Sequence, residues 1–219
     1  MNNQYYISSH CTISSSAVHY NGTLLFEAEY TDVPGFLLSA YQLIGAKYPK
    51  FYKMDNLAKL GWLAAEVLLK DFDATRYQPT DIGVVLSNAS SSLDADKRYY
   101  DSVQEMASPA LFVYTLPNIV IGEICIRHHF KGENAFFIFE QFNADFIVSY
   151  VSNLLDIQQL QVCICGWVEL LGDEYKAVLF LVEKEKKEGL MPFTIENINK
   201  ITTPPKPSPE GRAFLKNAF

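Results

Sequence analysis

The residues around position 141 are the first whose types and spacing suggest chemistry. The stretch KGENAFFIFEQFNADF, Lys131 to Phe146, has the pattern of a short buried strand, a tight turn and an amphipathic helix. In many α/β enzymes such a turn carries a nucleophile. Here it carries Glu140, Gln141, Phe142 and Asn143. An amide side chain is too weak a nucleophile to form an acyl-enzyme, so Gln141 does not predict covalent catalysis.

Three other groups of residues have reactive side chains but a weaker pattern. Ser90, Ser91 and Ser92 in SNASSSL have no adjacent histidine or lysine base, and serine-rich segments are typical of loops. Cys163 and Cys165 in QVCICGW alternate onto one face of a predicted strand, which indicates reduced packing residues. The CIRHH stretch lacks the second ligand pair of a structural zinc site. We therefore expect neither a metal site nor a disulfide framework.

Composition and charge narrow the class of protein. The chain has 219 residues, of which 49% are hydrophobic and 20% charged, which is typical of a packed protein of one or two domains. A net charge of −7 without a long Lys/Arg run predicts no binding of nucleic acid or of an anionic membrane. We find no signal peptide pattern at MNNQYYISSHC and no apolar run long enough to insert into a membrane. The sequence therefore predicts a cytoplasmic protein, and we expect no cofactor.

Hydrophobic periodicity alternates between strand and helix along the chain. One helix is especially clear, from Lys53 to Asp71, with Asp55 as its predicted N-cap. The predicted strands are QYYISSHCTIS, Asp81 to Asn88, Ala135 to Phe139, Gln161 to Val168 and Tyr175 to Val182. The other predicted helices are Ala95 to Glu105, Asn118 to Phe130 and Ala144 to Leu155.

This order of elements predicts an α/β fold with a mixed, mostly parallel sheet of about five strands and helices on both faces. We assign residues 1–184 to one domain. Residues 185–219 are predicted to be a Pro-rich tail, extended or partly disordered, because the prolines at 204, 205, 207 and 209 exclude a helix interior or a central strand. Phe214, Leu215 and Phe219 would give this tail an apolar anchor.

Several stretches together carry a resemblance to a known family. They are YYISSHCTIS, KMDNLAKLGWLAAEVLLKD, DIGVVLSNASSSLDADKRYYDSV, SPALFVYTLPNIVIGEICIRHHFKGEN and VCICGWVEL. Their order and spacing resemble the N-terminal half of β-ketoacyl-acyl carrier protein synthases. They are most similar to the divergent group found with aryl polyene and flexirubin pigment biosynthesis. The resemblance covers Tyr5 to Glu183 and implies a thiolase-like half-domain.

The resemblance also implies a role for the turn at residue 141. In the family, a Gly-x-Asn leads through a short strand to the nucleophilic cysteine seven residues after the asparagine. The corresponding residues are Gly132, Asn134 and Gln141, with Glu140 beside it, so the nucleophile position is occupied by an amide. The family's C-terminal half, with its two catalytic histidines, has no counterpart in this sequence. We therefore expect no ketosynthase activity from this chain alone.

Two classes of function remain, with a third as a further alternative. The first is a noncatalytic ketosynthase-like partner, comparable to chain-length factors, which often carry Gln in place of the cysteine. The second is a small acyl-thioester-handling enzyme of altered chemistry, using Glu140 or a serine of SNASSSL. The third is a stand-alone acyl-chain binding protein, with the phenylalanines near the turn lining its pocket.

The partners expected from the resemblance are an active β-ketoacyl synthase and an acyl carrier protein. In the family, the strand before the nucleophile turn pairs with its copy across a two-fold axis. The same strand here contains no Lys, Pro or Gly to discourage edge pairing. We therefore expect a dimer, homomeric or with a synthase, whose interface includes Ala135, Phe136, Phe137, Ile138, Phe139, Phe142 and Phe146.

Overall fold

A computed structural model describes residues 4–29, 32–184 and 189–203 of the chain. The strands are β1 (Tyr6–Ser14), β2 (Ala17–Tyr20), β3 (Thr23–Glu27), β4 (Ile82–Asn88), β5 (Asn134–Ile138), β6 (Val162–Leu171), β7 (Glu174–Glu183) and β8 (Met191–Pro192). The helices are α1 (Val33–Ile44), α2 (Asn56–Leu68), α3 (Leu93–Val103), α4 (Pro109–Phe112), α5 (Ile119–His128), α6 (Ala144–Asp156) and α7 (Ile195–Thr202). Short 3₁₀ segments lie at Pro49–Lys53, Ala74–Arg76 and Pro79–Asp81.

In this part of the chain, all eight strands belong to one sheet. The order is β3-β2-β1-β7-β6-β4-β5, and β8 pairs with β1. Only β4 runs parallel to its neighbours, β5 and β6. The remaining pairings, β1 with β2, β7 and β8, β2 with β3, and β6 with β7, are antiparallel.

The predicted mixed α/β class is confirmed, but the prediction of about five mostly parallel strands is wrong in number and direction. The five predicted strands all form, and β2, β3 and β8 add to them. The direction was mispredicted because β6 and β7 are joined only by Gly172 and Asp173, a connection too short for the crossover that parallel strands require. Asn21 and Gly22 close the β2–β3 hairpin with φ of 49° and 78°, the conformation of a type I′ turn.

Helices cover both faces of the sheet, as predicted. One hydrophobic cluster joins α1, α2 and α5 to the face that carries Val84 and Leu86 of β4. The other joins α6 and α7 to the face that carries Val85 of the same strand. Because successive side chains of a strand point to opposite faces, β4 contributes to both clusters and every one of its residues is buried.

Local signals explain where the main helices begin. Asp55 caps α2 as predicted, since its Oδ1 accepts a hydrogen bond from Ala58 N at 2.9 Å. Burial of this carboxyl raises its pKa to about 6. Thr194 caps α7 in the same manner, accepting from Asn197 N at 3.3 Å.

The prediction of an extended tail from residue 185 onward is wrong for residues 189–203. Met191 and Pro192 pair with β1, and α7 places Ile198 in the second hydrophobic cluster. The proline composition that suggested a tail begins only at residue 204. The predicted anchor at Phe214, Leu215 and Phe219 lies outside the described residues.

Candidate functional site

A crevice lies where the parallel strands β4, β5 and β6 end. The connection after β4 leads to α5 on one face of the sheet, whereas the connection after β5 leads to α6 on the other face. Where two such connections diverge, open α/β sheets form their ligand-binding crevices. A cavity of about 420 Å³ is found at this place. Its walls are Ala89, Ser90, Glu140, Gln141, Phe142, Trp167, Glu169, Leu171, Glu174, Lys176, Val178 and Thr202.

The turn between β5 and α6 is fixed at both ends and presents Glu140 and Gln141. At one end, Phe139 N donates to Asn88 O at 2.9 Å, which ties the turn to β4. At the other end, Asn143 caps α6 by accepting from Phe146 N at 2.9 Å. Glu140 and Gln141 are exposed between these anchors and also line a second cavity of about 440 Å³. A fixed, exposed amide at this tip can donate and accept hydrogen bonds but cannot become a thiolate.

Glu169 organises the opposite wall of the cavity. Its Oε2 accepts from Ala89 N at 2.6 Å and from Ser90 N at 3.2 Å. The next residue, Ser91, has φ of 52° and donates its N–H to the Asn88 side chain at 2.9 Å. The loop after β4 is therefore held by a carboxylate and an amide side chain.

Lys176 is the cation of the cavity wall. It stands opposite Glu169 in the register of β6 and β7, and its Nζ donates to Thr202 O at 2.8 Å. Burial lowers the pKa of this lysine. We did not predict a role for Glu169 or Lys176 from the sequence. The sequence contained a usable signal for this pair, because residues at equal distances before and after the Gly172–Asp173 turn face each other in a hairpin.

The thiols and imidazoles of the chain lie elsewhere. Cys11, Cys163 and Cys165 are buried in the sheet, and burial raises the pKa of each thiol. Cys163 and Cys165 share one face of β6, as predicted. Cys125 is half-buried on α5, where burial raises its pKa to about 11. Among the described residues, no cysteine or histidine lines either cavity at the turn.

Gly132 and Asn134 are not brought to the cavity. They precede and begin β5, at the end of this strand opposite to Gln141. Gly132 has a structural reason to be glycine, because an added Cβ would lie 2.5 Å from Ile82 O. Asn134 is exposed and pairs with Val84. The sequence spacing between these two residues and Gln141 therefore reflects the length of β5, and it does not bring the three residues into one site.

The residues predicted for the interface lie on β5, in the turn that follows it and at the start of α6. Within the described residues β5 pairs only with β4, so it is an edge strand. Phe136 faces the first hydrophobic cluster, and Ile138 is 48% exposed. The rings of Phe137, Phe139, Phe142, Phe146, Tyr150 and Trp167 are half-buried or buried near the turn, with the Phe137–Phe146 centroids 4.7 Å apart and the Phe142–Trp167 centroids 6.0 Å apart. Ala135 is half-buried.

Of the three serines, only Ser90 lines the cavity. Ser92 is buried, and its Oγ donates to Thr115 O at 3.0 Å. In CIRHH, His128 Nε2 lies 2.9 Å from Glu66 Oε1, and Arg127 forms an ion pair with the same carboxylate. Across the described ranges, no three His, Cys, Asp or Glu side chains converge as metal ligands.

Comparison with known proteins detects similarity at the level of structure. No protein-family profile matches the chain, and no curated protein sequence matches it. A chain of the ishigamide ketosynthase/chain length factor matches with a TM-score of 0.61 and 16% identity, covering 86% of this chain and 64% of that chain. AntDE:AntF, a type II PKS acyl-carrier protein in complex with its ketosynthase, matches with a TM-score of 0.58 and 13% identity over 84% of this chain and 63% of that chain.

A third complex covers a larger share of the matched chain. The ketosynthase ApeO in complex with its chain length factor ApeC, from Xenorhabdus doucetiae, matches with a TM-score of 0.52 and 13% identity over 83% of this chain and 79% of that chain. This chain thus spans less than two thirds of the first two matched chains. Identities this low establish the fold and not the activity.

None of the helices among the described residues has the length and apolarity needed to cross a bilayer. The sheet order, the two helical layers and the solved structures agree on one architecture. The described chain has the thiolase-like α/β fold of ketosynthases and chain length factors.

Proposed function

We propose that this chain is a noncatalytic ketosynthase-like subunit. In this role it pairs with an active β-ketoacyl synthase, as a chain-length factor does, and acts with an acyl carrier protein in fatty-acid or polyketide chain elongation. Aryl polyene or flexirubin pigment synthesis is the pathway class suggested by the sequence resemblance. The observation that carries the proposal is Gln141, an exposed amide at the tip of a fixed turn that opens onto the crevice.

The cavity suits binding better than covalent catalysis. Phe142, Trp167, Leu171 and Val178 supply apolar walls for an alkyl or polyene chain. Gln141 supplies a neutral donor and acceptor where a synthase would supply a thiolate. A subunit of this kind contributes shape and hydrogen bonds while its partner performs the acyl transfer.

The free edge of β5 supports the proposed pairing of subunits. The strand has no charged residue or proline, and none of its residues is fully buried. Strands of this kind are templates for edge pairing and are normally protected in monomers. Pairing two such strands would join two sheets and bury Ile138 together with the aromatic rings near the turn.

Acylation assays test the missing nucleophile. We expect no mass increase when the purified chain is incubated with an acyl-thioester donor and malonyl-carrier protein, and no condensation product. Gln141→Cys should expose a thiol that iodoacetamide alkylates, in contrast to Cys163 and Cys165, whose thiols are buried with raised pKa values. Gln141→Cys alone should still not catalyse condensation, because the substitution adds a thiol but no new general acid or base.

An acyl adduct on any residue from Ala135 to Asn143 of the parent protein would contradict the proposal. So would steady condensation by Gln141→Cys without a partner.

Reconstitution tests the subunit role. We expect the chain to co-purify with a ketosynthase from its native cell, and we expect the reconstituted pair to make products of defined length. Gln141→Ala should change that length with little loss of pairing. A synthase whose rate and products are the same with and without this chain would refute the role.

The small acyl-thioester enzyme remains a second candidate because Ser90 and Lys176 line the same cavity. Burial lowers the pKa of Lys176, which is the direction that a lysine acting as the base for a serine hydroxyl requires. This candidate predicts labelling of Ser90 by a fluorophosphonate and hydrolysis of an acyl thioester, both lost in Ser90→Ala and Lys176→Met. Absence of labelling and turnover in the parent protein eliminates it.

A further inference from the structure

The crevice at the ends of β4, β5 and β6 combines aromatic rings with carboxylates. Phe142 and Trp167 lie in its wall, with their ring centroids 6.0 Å apart and their planes inclined by 73°. Glu140 and Glu174 are exposed at the same place, and Glu169 is a third carboxylate of the wall. Aromatic faces and carboxylates both attract positive charge, so this surface favours a ligand that is largely apolar and carries a cation.

Lys176 offsets little of this negative charge. Its Nζ donates to Thr202 O at 2.8 Å, and burial lowers the pKa of the lysine. Among the described residues that line the crevice, three carboxylates therefore stand against one lysine that is already bound to a backbone carbonyl. A cation brought to the crevice would still be attracted by Glu174, which lies two residues before Lys176 on the same face of β7.

Helix α7 brings the chain to the mouth of this crevice. Ile198 anchors the helix in the second hydrophobic cluster, and Thr202 lines the cavity. Thr203 N donates to Asn199 O at 3.1 Å, so the chain leaves the helix beside the crevice. Residues 204–219 follow directly, outside the described part of the chain. Since an extended proline-rich chain advances about 3.1 Å per residue, the first six of these residues are long enough to span the crevice.

The sequence that follows Thr203 has the composition that this crevice favours. Its first six residues are PPKPSP, with Lys206 between prolines. Proline-rich segments adopt an extended polyproline II conformation at low entropic cost and bind in grooves lined by aromatic rings. The side chains of residues 204–219 include three basic residues and one acidic residue, whereas the whole chain carries a net charge of −7. The segment and the crevice are therefore complementary in both charge and apolar character.

We propose that residues 204–209 bind in the crevice of their own chain as an intramolecular ligand. Their proline rings pack on Phe142 and Trp167, and Lys206 pairs with Glu174. Because the segment is tethered beside the crevice, its effective concentration is on the order of 1 mM, so weak contacts are enough to hold it. The inference deepens the proposed function by naming what occupies the crevice before an acyl chain does, and it rests on that proposal only for the displacing ligand.

Disulfide crosslinking of the full chain tests where the segment lies. In a Cys125→Ser background the remaining thiols are buried, so Ala89→Cys with Ser208→Cys provides one accessible pair at the crevice. Thr80→Cys with Ser208→Cys is the matched control, because Ala89 and Thr80 are both exposed and lie beyond opposite ends of β4, on the order of 25 Å apart. We expect the first pair to oxidise roughly tenfold faster than the control pair. Equal rates would overturn the proposal.

Charge reversal separates binding in the crevice from tethering beside it. Lys206→Glu should slow the crosslink between positions 89 and 208 severalfold, because it replaces attraction to Glu174 by repulsion. Lys216→Glu makes the same change in charge outside the proposed ligand and should leave the rate nearly unchanged. Equal effects of the two reversals would show that the segment is only tethered near the crevice, which overturns the proposal.

Competition with an apolar probe tests the same contact without a crosslink. Lys206→Glu should strengthen binding of the neutral dye phenylnaphthylamine severalfold, measured by its fluorescence, because the dye and the segment compete for the crevice. Equal affinities of the parent chain, Lys206→Glu and Lys216→Glu for the dye would overturn the segment as occupant. Failure of the chain to bind any synthase would refute the proposed function but leave this inference standing.

Discussion

Strands β4 and β5 are parallel neighbours of similar composition, yet they differ completely in burial. Every residue of β4 is buried, whereas no residue of β5 is fully buried. The difference follows from position, because β4 lies between β5 and β6 with helices on both faces, whereas β5 has a neighbour on one side only in the part of the chain that the structure describes. One strand therefore specifies the fold of the single chain, and the other is available for association.

The largest effect is expected from truncating the buried strand. Leu86→Ala removes a fully buried side chain from the first hydrophobic cluster. We expect a loss of about 3 kcal/mol in the free energy of unfolding, because a cavity remains where the side chain packed. Denaturant unfolding by circular dichroism measures it. A loss below about 1 kcal/mol would show that Leu86 of β4 is not closely packed in the core.

A second effect concerns the close contact at the start of the two strands. Gly132→Ala would place a Cβ 2.5 Å from Ile82 O, so backbone must move. We expect a cost of about 2 kcal/mol, measured in the same unfolding experiment. Gly122→Ala is the control, since its Cβ meets open space. Equal stabilities of the two variants would contradict the tight contact.

A smaller loss of stability is expected from a substitution that loosens the loop after β4. Glu169→Gln keeps one oxygen acceptor for Ala89 N and Ser90 N but loses the charge. We expect a loss of about 1 kcal/mol and faster amide hydrogen exchange at Ala89 and Ser90. If exchange at these two amides stays unchanged, the carboxylate does not hold the loop.

The smallest effect is expected on the free edge. At protein concentrations low enough to keep the chain monomeric, Ile138→Ala should change the free energy of unfolding by less than about 0.5 kcal/mol, because Ile138 is already 48% exposed. In the parent chain the same substitution should weaken association. A loss similar to that of Leu86→Ala would mean that β5 belongs to the core and would remove the contrast between the strands.

The sequence predicted those elements whose periodicity and caps are local. Asp55 and the apolar periodicity after it predicted α2, and the apolar run from Asp81 to Asn88 predicted the strand that is observed as β4. The direction of each strand depends instead on which strands are neighbours in the sheet. The alternation of predicted strands and helices favoured parallel βαβ units, so the antiparallel β6–β7 hairpin was not predicted. The dipeptide Asn21–Gly22 is a sequence signal for a two-residue hairpin turn, and the prediction from periodicity missed it.

The candidate site was predictable only in part for the same reason. The resemblance identified Gln141, because its turn is continuous in sequence. Glu169 and Lys176 come from strands whose pairing was mispredicted, so no local pattern connected them with the turn. Gly132 and Asn134 were assigned to the same motif as Gln141, but the structure separates them from the cavity by the length of β5.

The position of β1 has a consequence for how the chain folds. This strand lies between β2 and β7, and Cys11 pairs with Leu179. The middle of the sheet therefore cannot close until nearly the whole described chain has been synthesised. Contacts so distant in sequence carry a large loop-closure entropy and favour slow folding. Until β7 has been synthesised, the hairpins formed by β1, β2 and β3 expose the unpaired edge of β1. An exposed strand edge favours aggregation, so we expect the nascent chain to bind chaperones.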